Sequence, residues 1–145
     1  MKTLTLIATL LLASAALAAD APIHDILGVE LGMSKDATHA QLAKKATFAR
    51  NERRRHEIWT LHHDARFASL IIGYTKEGAV RFVTAVAKPD GTAVRYADVL
   101  DLHAAAHKSA GNSHTYTWVT GTPPYSIIAI GGPAKLDYLS LEDEQ

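Results

Sequence analysis

Regular punctuation of the apolar segments constrains this chain more than any other feature. From residue 57 onward, runs rich in β-branched and aromatic residues are cut at short intervals by turn formers. EIWTLHH ends at Asp64-Ala65, RFASLIIGY at Thr75-Lys76-Glu77-Gly78, and AVRFVTAVAK at Pro89-Asp90-Gly91. Connections this short join antiparallel neighbours, because a parallel crossover needs roughly a dozen residues or more. The second and third runs are apolar at both parities, as at Leu70-Ile71 and Phe82-Val83. That predicts strands with neighbours on both sides and at least partial cover on both faces. The pattern returns near the C-terminus, where SHTYTWVT, PPYSIIAI and LDYLSL are separated by Gly121-Thr122 and by Gly131-Gly132-Pro133.

A helix is predicted ahead of each triplet of strands. Ser34 fits an N-cap and Asp36 complements the helix dipole, so a first helix is expected over 35–48, with Ala40, Leu42, Ala43 and Ala46 facing a sheet. A second is expected over 96–110, YADVLDLHAAAHKSA, with Val99, Leu102 and Ala106 on one face and Gly111-Asn112 as its stop. Residues 19–33 read as an edge segment or a short turn of helix. The resulting order is α-βββ-α-βββ, an architectural repetition. It describes a single α+β domain of two layers: two helices packed on a mainly antiparallel sheet of about six short strands. Residues 142–145, EDEQ, read as a solvated acidic tail.

Residues 1–18, MKTLTLIATLLLASAALA, combine one lysine, a leucine-rich run and a small-residue Ala16-Leu17-Ala18 ending, which reads as an export signal leaving a mature chain of 19–145. Its apolar run is shorter than the ~20 residues of a membrane helix, and no comparable run follows. A periplasmic or secreted location is therefore expected, with no transmembrane segment. The chain has no cysteine, which excludes disulfides, thiolate chemistry, Cys-ligated zinc and a lipid anchor at the cleavage point. With 15 basic against 15 acidic residues there is no bulk attraction to nucleic acid, and no nucleic-acid partner is expected.

The segment Gly28-Val29-Glu30-Leu31-Gly32-Met33-Ser34, followed by a short helix and three strands, resembles the opening of the SmpA/OmlA (BamE-like) outer-membrane assembly proteins and the related β-lactamase-inhibitor-protein-like domains. The resemblance rests on Gly32-Met33-Ser34 and the helix behind it. It implies a small periplasmic domain that presents a sheet or loop to another protein.

Charge supplies the first candidate site. Lys44, Lys45, Arg50, Arg53, Arg54 and Arg55 lie within twelve residues that hold one acid, Glu52, whereas 137–145 carry four acids and no base. The segment reads either as a solvated loop, neutralised in the fold by the acidic tail, or as a docking patch in which Arg50, Arg53, Arg54 and Arg55 meet an anionic surface or an acidic envelope protein. Histidine supplies the second. His103 and His107, at i and i+4 on the expected helix, could ligate zinc or copper with His114 as third ligand. The plainer reading makes them half-buried residues at a helix-sheet border. Ala104 stands where a zinc protease places its glutamate. Neither Gly-x-Ser-x-Gly nor Ser-x-x-Lys occurs, and there is no phosphate-binding glycine loop. His114, Tyr116 and Trp118 share one strand parity, with Tyr125 and Tyr138 expected beside them as core beneath the second helix. The chain therefore reads as a non-enzymatic interaction protein without cofactor. The alternative is a metal-binding protein or a metal-dependent enzyme using His103 and His107.

Overall fold

A computed structural model describes residues 22–145; the expected export signal lies outside them. A two-residue hairpin opens the described chain, β1 (Asp25–Ile26) and β2 (Val29–Glu30), reversed by Leu27 and Gly28 at φ 56° and 81°. Helix α1 (Lys35–Leu42) follows, its N-cap Ser34 accepting the Ala37 amide. Four strands come next: β3 (Ala46–Glu52), β4 (His56–Leu61), β5 (Phe67–Tyr74) and β6 (Val80–Ala87). A single 3-10 turn at Tyr96–Asp98 leads to four more: β7 (Ala106–Ala110), β8 (Ser113–Thr120), β9 (Tyr125–Gly131) and β10 (Leu136–Asp143). Strands β3 to β10 form one antiparallel sheet in the order β3-β4-β5-β6-β10-β9-β8-β7. Each set of four is a meander, and the two meet where β6 pairs with β10 through Ala85↔Leu139 and Val83↔Leu141.

This corrects the expected two helices on a six-stranded sheet: the described residues are mostly β, with one α-helix and eight strands in the main sheet. Both additional strands emerge from the C-terminal ends of the predicted helices. The first helix stops at Leu42 after eight residues, because only Thr38 and Leu42 on it are buried, and residues from Ala46 onward pair with β4 instead. The second does not form. Residues 106–110 line up against β8 from Ala106↔Thr117 to Ala110↔Ser113, and Leu102, expected in the buried stripe, is 42% exposed. An isolated helix of about 15 residues is marginal in water, and alanine-sized contacts add little burial. Backbone pairing along a formed edge strand is therefore the better outcome.

The core lies on one side of the sheet. Trp59, Leu61, Leu70, Ile72, Val83, Ala85, Leu139, Leu141, Ile127 and Ala129 share that face and pack with Ile26 and Val29 of the hairpin, Leu42 of α1, and Val94, Tyr96 and Leu100 of the β6–β7 connection. Full burial of one such leucine contributes roughly 1.5–3 kcal/mol. Tyr116 and Trp118 pack against this cluster from β8, and the Tyr125 hydroxyl donates to the Ile23 carbonyl at 2.8 Å. Tyr138 projects from the opposite face, 45% exposed, because a register shift in β10 changes its parity relative to Leu136.

Candidate functional site

The second face of the sheet carries Ile58 of β4, Ile71 of β5, Phe82 and Val86 of β6, Tyr138 of β10, Ile128 and Ile130 of β9 and Val119 of β8, interleaved with Thr60, Ser69, Thr84, Ser140, Thr115 and Thr117. None of these apolar side chains belongs to the buried cluster, and no helix or hairpin among the described residues packs over them. Val119, Tyr138 and Ile130 are 55%, 45% and 37% exposed. Small hydroxyl and branched apolar side chains alternate across it, and the carboxylates of Glu142 and Glu144 lie at its β10 end, bonded to Ser140 and Ser126. A patch of this kind, bounded by charged edges, is the usual mark of an interaction surface.

Three of the four predicted arginines gather at one end of that face. Arg53, Arg54 and Arg55 form the turn between β3 and β4, entered with Arg53 in the left-handed region at φ 62°. Together with Arg81 of β6 they line a cleft of about 190 Å³ whose remaining walls are His56, Tyr74 and Phe82. Gly73 lies beneath the Phe82 wall: a Cβ there would run into the Phe82 ring, so only glycine lets that ring lie across β5 and meet His56 edge to face at 5.0 Å. Among the described residues no carboxylate forms an ion pair with Arg53, Arg54, Arg55 or Arg81, although Glu142 of the acidic tail lies opposite the cleft wall Phe82. The tail bonds locally, with Glu144 accepting from Ser126 and Glu142 from Ser140. Arg50 lies outside the cleft, on β3 opposite Ile58 at the margin of the open face. Arg81 went unread in the sequence because it is 26 positions from Arg55 and only the β5–β6 hairpin returns it.

On the core side the structure reveals a group that spacing did not single out. Glu57 is 2% exposed, and its carboxylate accepts from Lys35 Nζ at 2.7 Å, Tyr74 OH at 3.1 Å and Trp59 Nε1 at 3.3 Å, and bonds His39 Nε2 at 2.8 Å. Burial pushes its pKa up, but hydrogen bonds from Lys35, His39, Trp59 and Tyr74 outweigh burial and hold it below the ordinary range. Burial also pushes the Tyr74 phenol up, reinforced by the Glu57 charge. Lys35 and His39 sit one helical turn apart, so the buried carboxylate pins α1 to the sheet. A legible clue existed: Glu57 shares strand parity with Trp59 and Leu61, which places a charge on the inward face.

The histidines regroup. His103 lies in the exposed connection before β7 and is not brought onto a helix with His107, so the i, i+4 basis for that pair is lost. His107 and His114 do meet, as diagonal neighbours on β7 and β8, with Nε2 and Nδ1 3.0 Å apart and rings stacked at 5.2 Å. Tyr116 stacks on His107 at 4.3 Å. Among the described residues no group of three or more metal-ligating side chains converges. No described helix is long and apolar enough to cross a membrane. Comparison with protein-family models, with curated proteins and with solved structures finds no match to this chain.

Proposed function

We propose that the protein is an exported, non-enzymatic interaction module of the periplasm or the extracellular space, which receives an envelope partner on the uncovered face of its sheet and at the arginine turn beside it. The observation that carries this reading is the coexistence, among the described residues, of a broad apolar face with no cover and a cluster of guanidiniums without ion pairs at its end. The face supplies area and the arginines supply orientation and encounter rate. The resemblance of residues 28–34 to small envelope domains points the same way, and the leader-like composition of residues 1–18 supports export.

The test uses a photo-crosslinking residue at Ile130 or Tyr138 on the open face, with Ala40 on α1 as control, in cells that export the protein. A discrete adduct from the open face, absent from the helix side and weakened by Arg53→Ser/Arg54→Ser/Arg55→Ser, is expected. Adducts equally frequent from both faces would overturn the reading, as would a full-length cytoplasmic product whose N-terminus is not Ala19.

A second reading rests on the approach of His107 and His114, whose ring nitrogens meet at a hydrogen-bond distance of 3.0 Å and would part slightly to share one zinc or copper ion. The pair is half-exposed to exposed and has room for water as further ligands. Stoichiometric metal in untagged protein, lost in His114→Ala, is the expected result of this reading. Its absence removes the reading without touching the first.

A further inference from the structure

We infer that the cleft formed by Arg53, Arg54, Arg55 and Arg81 is a receptor for a terminal phosphate group, so that the ligand reaching this end of the open face carries a phosphomonoester-type dianion. The inference rests on the interaction reading above and names the chemistry of its charged element.

Four guanidiniums around one small cleft repel one another, and among the described residues no carboxylate forms an ion pair with them, although Glu142 lies opposite Phe82 on the same face. A single group that engages several of these exposed guanidiniums at once has to bring more acceptor oxygens and charge than one carboxylate. A phosphomonoester supplies about −1.5 to −2 and three strong acceptor oxygens, which guanidinium forks engage in pairs. Size agrees with charge. A cleft of about 190 Å³ falls below the roughly 300–1,000 Å³ of sites that enclose a whole small molecule, and so admits one anionic group while the remainder lies outside. The direction of that remainder is set by two of the walls. Phe82, seated on Gly73, and His56 continue onto the apolar face through Ile58 and Ile71. The backbone adds an independent sign: Arg53 occupies the left-handed conformation at φ 62°, where glycine or asparagine would sit with less strain.

The terminal phosphate can arrive free or on a lipid headgroup, and two arms separate these sources. In the first, inorganic phosphate is titrated into the full mature chain at constant ionic strength, read by shifts of the His56 and Phe82 ring resonances. In the second, the protein is sedimented with phosphatidylcholine vesicles with and without phosphatidic acid. Saturable shifts with inorganic phosphate, weakened at least tenfold in Arg54→Ser/Arg81→Ser, are expected for a free ligand. Cosedimentation that needs phosphatidic acid and is lost in the same variant, without response to inorganic phosphate, supports the headgroup source. An unchanged melting temperature in the variant shows that the loss is one of binding. Shifts reproduced by chloride at equal ionic strength, or no response in either arm, overturn the phosphate assignment. Cross-linking from Ile130 or Tyr138 would survive that failure, so the two readings fail separately.

Discussion

The two halves of the sheet are built on one plan and closed by different lids. Strands β3 to β6 and β7 to β10 are both four-stranded meanders, and the halves join along β6 and β10. Over the first half lies an eight-residue helix tied down by a buried carboxylate. Over the second lies a three-residue 3-10 turn, anchored by Tyr96, whose hydroxyl donates to the Gly132 carbonyl at 2.8 Å and whose ring packs on Tyr116 at 4.6 Å. The helical lid holds one ionic anchor within a low-dielectric layer, whereas the 3-10 lid uses a neutral hydrogen bond and aromatic contact. The meander therefore does not require a particular lid. It requires only that its inner face be covered, and the chemistry of each cover decides how that half responds to acid and to mutation.

The largest expected effect comes from removing the ionic anchor. Glu57→Ala leaves Lys35 and Tyr74 without their acceptor at a buried site. Breaking a buried pair typically costs about 3–5 kcal/mol, and the half-exposed partners reduce this to about 2–3 kcal/mol. Denaturant unfolding checks the figure. A loss under about 1 kcal/mol would mean that the helix is held by Leu42 and its neighbours alone, erasing the contrast between the lids.

Acid sharpens the same contrast. The folded-state pKa of Glu57 lies below its ordinary value of 4.5, so its contribution is complete above that value and disappears as pH falls through the depressed one. Melting temperature measured from pH 6 down to pH 2.5 should therefore fall more steeply below about pH 4.5 in the wild type than in Glu57→Gln. Parallel curves would locate the acid response elsewhere, with Asp64 next. Burial pushes the pKa of Asp64 up, but hydrogen bonds from the Phe67 and Arg66 amides outweigh it and hold the carboxylate low.

The smallest effect is expected on the other half. Tyr96→Phe deletes one neutral hydrogen bond and keeps the ring, for a loss of about 1 kcal/mol with no change in acid sensitivity. A loss as large as that of Glu57→Ala would show that the 3-10 lid carries more than its hydroxyl contact.

These contrasts also mark where the sequence was readable. The six inner strands coincide with apolar runs between turn formers, because a turn residue constrains the chain locally and needs no distant partner. The arginine turn was visible as charge, but its closure into a cleft needed Arg81 brought back by a hairpin. The acidic tail reaches the same end of the sheet, where Glu142 lies opposite Phe82, but its carboxylates bond Ser126 and Ser140 and form no ion pair with the arginines.

By itself, then, the sequence determined the meandering antiparallel sheet, the Ser34 cap and the location of the basic turn, all encoded within a few adjacent residues. Tertiary structure alone decided the edge strands, the inward role of Glu57, the meeting of His107 with His114 and which sheet face the described residues leave uncovered. Residues 46–52 and 106–110 are helix-compatible or neutral locally and become strands because an exposed edge offers unpaired backbone groups along their whole length. That offer exists only after the inner strands have formed, which is why no local pattern announces it.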